Sequence, residues 1–143
     1  MNKLVSHSPE ETILMGSEFA GKLKPGDTVG LFGDLGTGKT QFVKGICNYF
    51  EVEDSVSSPT FIIVNEYPGK NIKINHFDLY RVKNISELKE IGFENYINGD
   101  AICLIEWADL VENYPDGKMI KVSFDYGEGN TDRIISFKGK DDF

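Results

Sequence analysis

The 143-residue chain is short of several features, and each shortage narrows what it can do. Its two cysteines, Cys47 and Cys103, form no metal-spaced pair and read as buried free thiols, one in a predicted helix and one in a predicted strand. No apolar run approaches the roughly 18 residues needed to cross a bilayer. The N-terminus also lacks a basic head followed by an apolar stretch, so a cytoplasmic chain with no membrane partner is expected. Basic residues are in deficit, 15 Lys and Arg against 23 Asp and Glu, for a formal net charge of −8. That balance argues against a surface that holds nucleic acid by itself, because such binding rests on neutralising phosphates. A nucleotide is a smaller demand, met by a few local donors. Repeats, linkers and low-complexity segments are absent, and the Asn-Lys-x-Asp guanine motif is missing, which favours ATP over GTP. What remains is ordinary globular composition, 40% hydrophobic and 27% charged, in a length that suits one domain over residues 1–143.

Against that background one stretch stands out: Gly33-Asp34-Leu35-Gly36-Thr37-Gly38-Lys39-Thr40 fits G-x-x-x-x-G-K-[ST], the phosphate-binding P-loop. Its glycines let the backbone take positive φ angles, so that successive N–H groups form a nest for phosphate oxygens. Lys39 would reach the β- and γ-phosphates, and Thr40 would offer its hydroxyl to Mg²⁺ at the positive end of a helix. The setting agrees. Thr28 to Phe32 reads as a short buried strand, and Gln41 to Phe50 as a helix with Phe42, Val43, Ile46 and Phe50 at core spacing. Asp34 is an anion within an anion-binding loop and is tolerable if its side chain points away from the phosphates.

The first helix is expected from Ser8-Pro9-Glu10-Glu11, a capping residue followed by proline and by Glu three positions on. It would run to about Leu23 and bury Ile13, Leu14, Phe19, Ala20 and Leu23, after a possible strand from Asn2 to His7. Glu51 to Pro59 reads as a surface loop. Phe61 to Tyr67 and Asn71 to Asp78 read as a hairpin, in which alternation places Ile72, Ile74, His76, Asp78 and, if the strand persists, Tyr80 on one face. That face changes from apolar to polar along its length, as expected where a strand leaves the core and enters a site. Short helical patterns follow between Asn84 and Ile97, broken at Gly92. Ala101 to Ile105 is an unbroken apolar strand, Asp109 to Tyr114 a brief helix at most, and Met119 to Tyr126 with Arg133 to Phe137 a second hairpin. The expected fold class is α/β, a three-layer P-loop domain with a mixed parallel and antiparallel sheet, since two hairpins flank a parallel core.

A P-loop needs a carboxylate partner for Mg²⁺. Glu106 ends the buried strand, where ligands of open α/β sheets bind, and would be a Walker-B-like residue; a solvated strand-end acid is the alternative. Asp78 is a second candidate, able to orient the attacking water, accept its proton or bind Mg²⁺ through a water. His76, on the same face, could donate a hydrogen bond to either carboxylate. Thr60 occupies the place where nucleotide switches carry a threonine that senses the γ-phosphate. Trp107 is the single tryptophan, with core filling or a partner surface as its two readings.

Together these motifs resemble the TsaE (YjeE) family, the small bacterial P-loop ATPases of tRNA threonylcarbamoyladenosine biosynthesis. The family's Gly-Asp-Leu-Gly-x-Gly-Lys-Thr loop matches Gly33 to Thr40. Its Ser-Pro-Thr matches Ser58 to Thr60, its His-x-Asp-x-Tyr-Arg matches His76 to Arg81, and its Glu-Trp matches Glu106-Trp107. The match runs on through Glu87-Leu88, Gly92-Phe93 and a late Arg133; Thr37 departs from it, standing where Ala or Ser is more usual. The resemblance implies weak ATP hydrolysis coupled to a threonylcarbamoyl transferase subunit and its non-catalytic paralogue, with tRNA handled by that complex. It also implies Mg²⁺ on Thr40 and Glu106, hydrolysis dependent on Lys39 and Asp78, and approach to the nucleotide by Glu11, Thr12 and Arg133. A small-molecule kinase, or a nucleotide-gated binding module without turnover, are the competing readings.

Overall fold

The apolar run after Ala101 forms strand β5 (Ile102–Glu106), and every one of its residues is buried because helices cover both of its faces. The computed structural model describes residues 2–57, 63–113 and 118–143. In chain order the remaining elements are β1 (Asn2–Ser6), α1 (Pro9–Ala20), β2 (Thr28–Phe32), α2 (Lys39–Tyr49), β3 (Val64–Gly69), β4 (Ile72–Asp78), α3 (Ile85–Glu90) and α4 (Phe93–Ile97). After β5 come a 3-10 turn at Ala108–Val111, then β6 (Ile120–Tyr126) and β7 (Arg133–Lys138).

The strands form one sheet in the order β1-β7-β6-β2-β5-β4-β3. Its centre is parallel, β6 and β5 flanking β2 and β4 following β5, while β3 and the β7–β1 pair add antiparallel edges. Register places the site. Glu106 stands beside Leu31 of β2 on one side and Asp78 of β4 on the other, so the chain leaving β2 and both candidate carboxylates reach the same sheet edge. Alternation along β5 divides the core: Ile102 and Leu104 pack with α1 and α2 on one face, Cys103 and Ile105 with α3, α4 and the 3-10 turn on the other. The expected three-layer α/β domain with a mixed sheet is what the chain forms. Cys47 and Cys103 are buried free thiols, and burial pushes them up to about 12 and about 11.

Helix α1 begins as its sequence dictates. The Ser8 hydroxyl accepts the Glu11 amide at 3.1 Å, and the Glu11 carboxylate reaches back to the His7 amide at 2.6 Å. Its buried face differs from the expected one. Thr12, Gly16, Phe19 and Ala20 face inward, whereas Leu14 is 63% exposed. The cause is the crossing with α2, where backbone meets backbone: a Cβ on Gly16 would lie 2.2 Å from the Phe42 carbonyl oxygen, and one on Gly45 would lie 1.9 Å from that of Ile13. Glycine directs this face inward, which a pattern of apolar side chains does not register. The helix also stops at Ala20 rather than near Leu23. The next three amides bond to carbonyls three residues back, a tighter turn that still buries Leu23.

Elsewhere boundaries shift by a few residues. Helix α2 starts at Lys39 rather than Gln41, β3 runs past Tyr67 through Pro68 to Gly69, and the expected helix at Asp109 is the 3-10 turn at Ala108–Val111. Strand β4 ends at Asp78, whose carboxylate accepts the Tyr80 amide at 2.9 Å, so the extended run does not reach Tyr80. The beginning of the strand expected from Phe61 and the Ser58-Pro59-Thr60 motif lie outside the described residues.

Candidate functional site

The loop after β2 has the backbone that its glycines permit. Gly33, Gly36 and Gly38 have φ of 146°, 77° and 103°, in the region that side chains disfavour. At Gly33 space is also limiting, since a Cβ would lie 2.6 Å from the Phe124 carbonyl oxygen. Thr37, 1% exposed, closes the turn by donating its hydroxyl to the Asp34 carbonyl at 2.7 Å. The outer side of the loop is held by the second hairpin. Arg133 donates to the Gly36 carbonyl through Nε (3.3 Å) and Nη2 (3.1 Å), and the Tyr126 hydroxyl donates to the Leu35 carbonyl. Gly38 then caps α2 without a side-chain bond, which leaves the helix's first N–H groups for an anion.

Lys39 is the first residue of that helix and is 5% exposed. Its ammonium donates to the carbonyls of Gly33 and Asp34 and lies 3.7 Å from the centre of the Trp107 ring. Burial holds its pKa below the usual lysine value, and the carboxylates of Glu106, Asp78, Asp109 and Asp34 oppose that shift. Trp107 has φ of 57°, an uncommon conformation for a bulky residue, in the turn that ends β5. Its half-buried ring stands 4.8 Å from that of Tyr80, packing against the edge of the core on one side and lining the cleft on the other.

Glu106, 3% exposed, is the centre of the polar contacts. The Thr40 hydroxyl lies 3.1 and 3.2 Å from its two oxygens, and His76 Nε2 lies 2.5 Å from Oε2. His76 is fully buried, and its Nδ1 lies 3.2 Å from the Tyr67 hydroxyl. Of the two carboxylates open to His76 in the sequence, the structure selects Glu106.

These residues border a cleft of about 650 Å³. Leu35, Gly36, Gly38, Lys39 and Thr40 form its floor, Asp78, Glu106 and Trp107 one wall, and Thr12 and Arg133 the other side. Gly33, Asp34 and Thr37 stand behind the floor and bond the loop to itself; the Asp34 residue is exposed. Glu11 does not line the cleft, because its carboxylate is committed to the His7 amide. Thr60 lies outside the described residues. No part in the site is expected from the sequence for Arg81, Tyr80, Ser8 or Thr131, which also line the cleft, nor for Tyr67 behind it, although Ser8 is expected as the cap of α1 and Tyr80 and Arg81 fall in the His76 to Arg81 motif. Arg81 had a readable signal, a cation three residues beyond Asp78. Ser8 and Thr131 had none, since only the fold brings residue 131 to residue 8.

At the rim, the Thr131 hydroxyl donates to the His7 carbonyl at 2.8 Å, and His7 Nδ1 pairs with Asp132 Oδ1 at 2.9 Å. The hydrogen bond that Asp132 accepts holds His7 above 6.5, and that same bond holds Asp132 below 3.8. The raised histidine stabilises the fold below its unfolded pKa and loses that contribution as pH rises through its folded value; the depressed carboxylate contributes above 3.8 and loses it as pH falls. The pair is therefore fully formed between about 3.8 and 6.5. In Asp132→Asn an NMR titration should find the His7 pKa moved down towards 6.5, and an unmoved midpoint would show that the pair does not form in solution.

Fold and site together define a P-loop NTPase domain, with a glycine loop and strand-end carboxylates meeting at the carboxyl edge of a parallel sheet. Comparison with known proteins narrows the class. The family model described as threonylcarbamoyl adenosine biosynthesis protein TsaE matches residues 6–135, and the chain belongs to that family. It is 42% identical over 125 residues to the tRNA threonylcarbamoyladenosine biosynthesis protein TsaE of Rickettsia conorii, covering 87% of this chain and 71% of that one. To the protein of the same name from Bacillus subtilis it is 37% identical over 130 residues, with 91% and 80% covered. Among solved structures, Bacillus subtilis YdiB superposes with a TM-score of 0.74 at 32% identity, over 95% of this chain and 83% of that one. Among the described residues no helix is long and apolar enough to cross a membrane.

Proposed function

We propose that this chain binds and hydrolyses ATP with Mg²⁺, in service of threonylcarbamoyladenosine modification of tRNA. The observation that carries the nucleotide reading is the meeting of the Thr40 hydroxyl and the Glu106 carboxylate, 3.1 Å apart, beside Lys39 and the uncapped start of α2. A hydroxyl and a carboxylate are hard oxygen donors of the kind Mg²⁺ takes. The cleft has the volume for a nucleotide, and its floor offers backbone N–H groups at positive-φ glycines.

The residues then divide the work of phosphoryl transfer. Loop amides and the start of α2 hold the phosphates, and Lys39 moves its ammonium from the Gly33 and Asp34 carbonyls onto the β- and γ-phosphate oxygens. Thr40 and Glu106 would hold Mg²⁺, which would supply positive charge against that developing on the phosphates. Asp78 sits next to Glu106 in register, its carboxylate steadied by the Tyr80 amide, and orients the attacking water. Arg133, bonded to Gly36, keeps the loop's outer turn in place.

The biological setting rests on the names of the relatives. The partners in this reading are a threonylcarbamoyl transferase subunit and its non-catalytic paralogue, which take the tRNA, so the chain works in the cytoplasm where tRNA is found. The net charge of −8 supports an accessory role, since tRNA binding by this surface would be repulsive. The test is incubation with γ-labelled ATP, Mg²⁺, the two partners, tRNA and a metabolite pool. Inorganic phosphate released above background, and dependent on Mg²⁺, is the expected product. A phosphorylated metabolite would make the chain a kinase, and no release at all would reduce it to a binding module.

A further inference from the structure

Behind Glu106 lies a run of hydrogen-bonding groups that starts in β3. Asn65 Nδ2 donates to the Tyr67 hydroxyl oxygen and to the Ser57 carbonyl, both at 3.3 Å. The Tyr67 hydroxyl lies 3.2 Å from the Ser57 carbonyl and 3.2 Å from His76 Nδ1. His76 Nε2 then meets Glu106 Oε2 at 2.5 Å, while the Thr40 hydroxyl lies 3.1 Å from Oε1 and 3.2 Å from Oε2.

Each group has a fixed number of protons, and this decides their direction. An ionised carboxylate only accepts, so the proton between His76 and Glu106 belongs to Nε2. An imidazole with its proton there presents a lone pair at Nδ1, and His76 is fully buried. Tyr67 has one hydroxyl proton for two acceptors. Given to the Ser57 carbonyl, it leaves Nδ1 without a donor in the interior. Given to Nδ1, it satisfies the ring, and the Ser57 carbonyl still receives the Asn65 amide.

We propose that Tyr67 is a positioning residue. By donating to His76 Nδ1 it holds the imidazole in the tautomer that donates to Glu106 Oε2, and this leaves Oε1 as the carboxylate oxygen that His76 does not engage, the one available to a cation beside Thr40. The consequence for Mg²⁺ rests on the nucleotide reading of the cleft; the tautomer does not. Outer partners of metal-binding side chains act in this way, fixing orientation rather than touching the metal.

Long-range ¹H–¹⁵N spectra of the ligand-free protein test the tautomer directly, and with His7 the only other histidine, assignment is simple. A single form of His76 with its proton on Nε2 is expected in the wild type, and a mixture of tautomers in Tyr67→Phe. By calorimetry, Tyr67→Phe should bind ATP without Mg²⁺ as the wild type does, while the affinity gained from Mg²⁺ falls by about tenfold. A purely structural loss would weaken both. The His76→Gln amide can donate to Glu106 without a tautomer to fix, so Tyr67→Phe added to His76→Gln should cost no further Mg²⁺ gain. Proton placement on Nδ1 or on both nitrogens in the wild type would overturn the proposal, as would a folded Tyr67→Phe with one tautomer and an intact Mg²⁺ gain. If Tyr67→Phe fails to fold, the wild-type spectrum decides. If the wild type binds no ATP, the nucleotide reading fails while the spectra still settle Tyr67.

Discussion

Lys39→Ala is expected to abolish measurable ATP turnover, with single-turnover phosphate release falling by about a hundredfold or more, the scale seen when one preorganised donor to a developing charge is removed. The ammonium is buried beside the carboxylates of Glu106 and Asp78, and it already bonds to the Gly33 and Asp34 carbonyls where the loop turns. Alanine removes the cation of the phosphate loop itself and leaves Arg81 and Arg133 among the residues lining the cleft. ATP affinity should therefore fall both with and without Mg²⁺, because the lost charge acts on phosphate itself. Circular dichroism should be unchanged, since α2 starts with a residue of high helix propensity in either case. Turnover near the wild-type rate in a folded Lys39→Ala protein would remove the basis for calling this loop catalytic.

Glu106→Gln gives a different pattern. The glutamine retains the shape, can accept from Thr40 and His76, and lacks the charge that a divalent cation needs. Binding of ATP without Mg²⁺ should persist, the gain from Mg²⁺ should vanish, and turnover should fall by about a hundredfold. The Glu106 field also supports the charged form of Lys39, against the burial that lowers its pKa. Removing it lowers the Lys39 pKa further. Any residual ATP affinity in Glu106→Gln should thus decline at lower pH than in the wild type as pH rises through the lysine's range, a shift that calorimetry across alkaline pH would read. An unchanged Mg²⁺ dependence would show that Glu106 is a structural acid at a strand end.

The parts of the site that a linear pattern could carry were legible. The glycine loop, Lys39 and Thr40 are spaced by local geometry, and the apolar run of β5 points to the acid that ends it. The fold class followed from the same signals, because a parallel core needs buried runs and the two hairpins have their own turns. What was not legible depends on pairings across the fold. Tyr67 and His76 meet because β3 and β4 pair antiparallel, which no spacing announces; that His76 reaches one of the two carboxylates was expected, and the fold decides that it is Glu106. Arg133 reaches Gly36 through a hairpin almost a hundred residues later in the chain. Glu11 was expected near the nucleotide, yet the local demand of a helix start turned its carboxylate to the His7 amide. Leu14 was expected inside, and the glycine contact between the two helices put it outside.

That contact has a further consequence. Thr12, buried on α1, faces Gly38 at the start of α2, and a Cβ on Gly38 would lie 3.5 Å from the Thr12 methyl. The separation of the two helices is set by the hard radii of backbone atoms at Gly16 and Gly45, with no side chain to lengthen or shorten. One jaw of the cleft is therefore a fixed gauge. Variation in what the cleft accepts has to come from the opposite jaw and the rim, where Tyr80, Arg81, Trp107 and Thr131 offer side chains that can be exchanged without moving a helix. A designer seeking a different nucleotide would begin there, and would leave the two glycines alone.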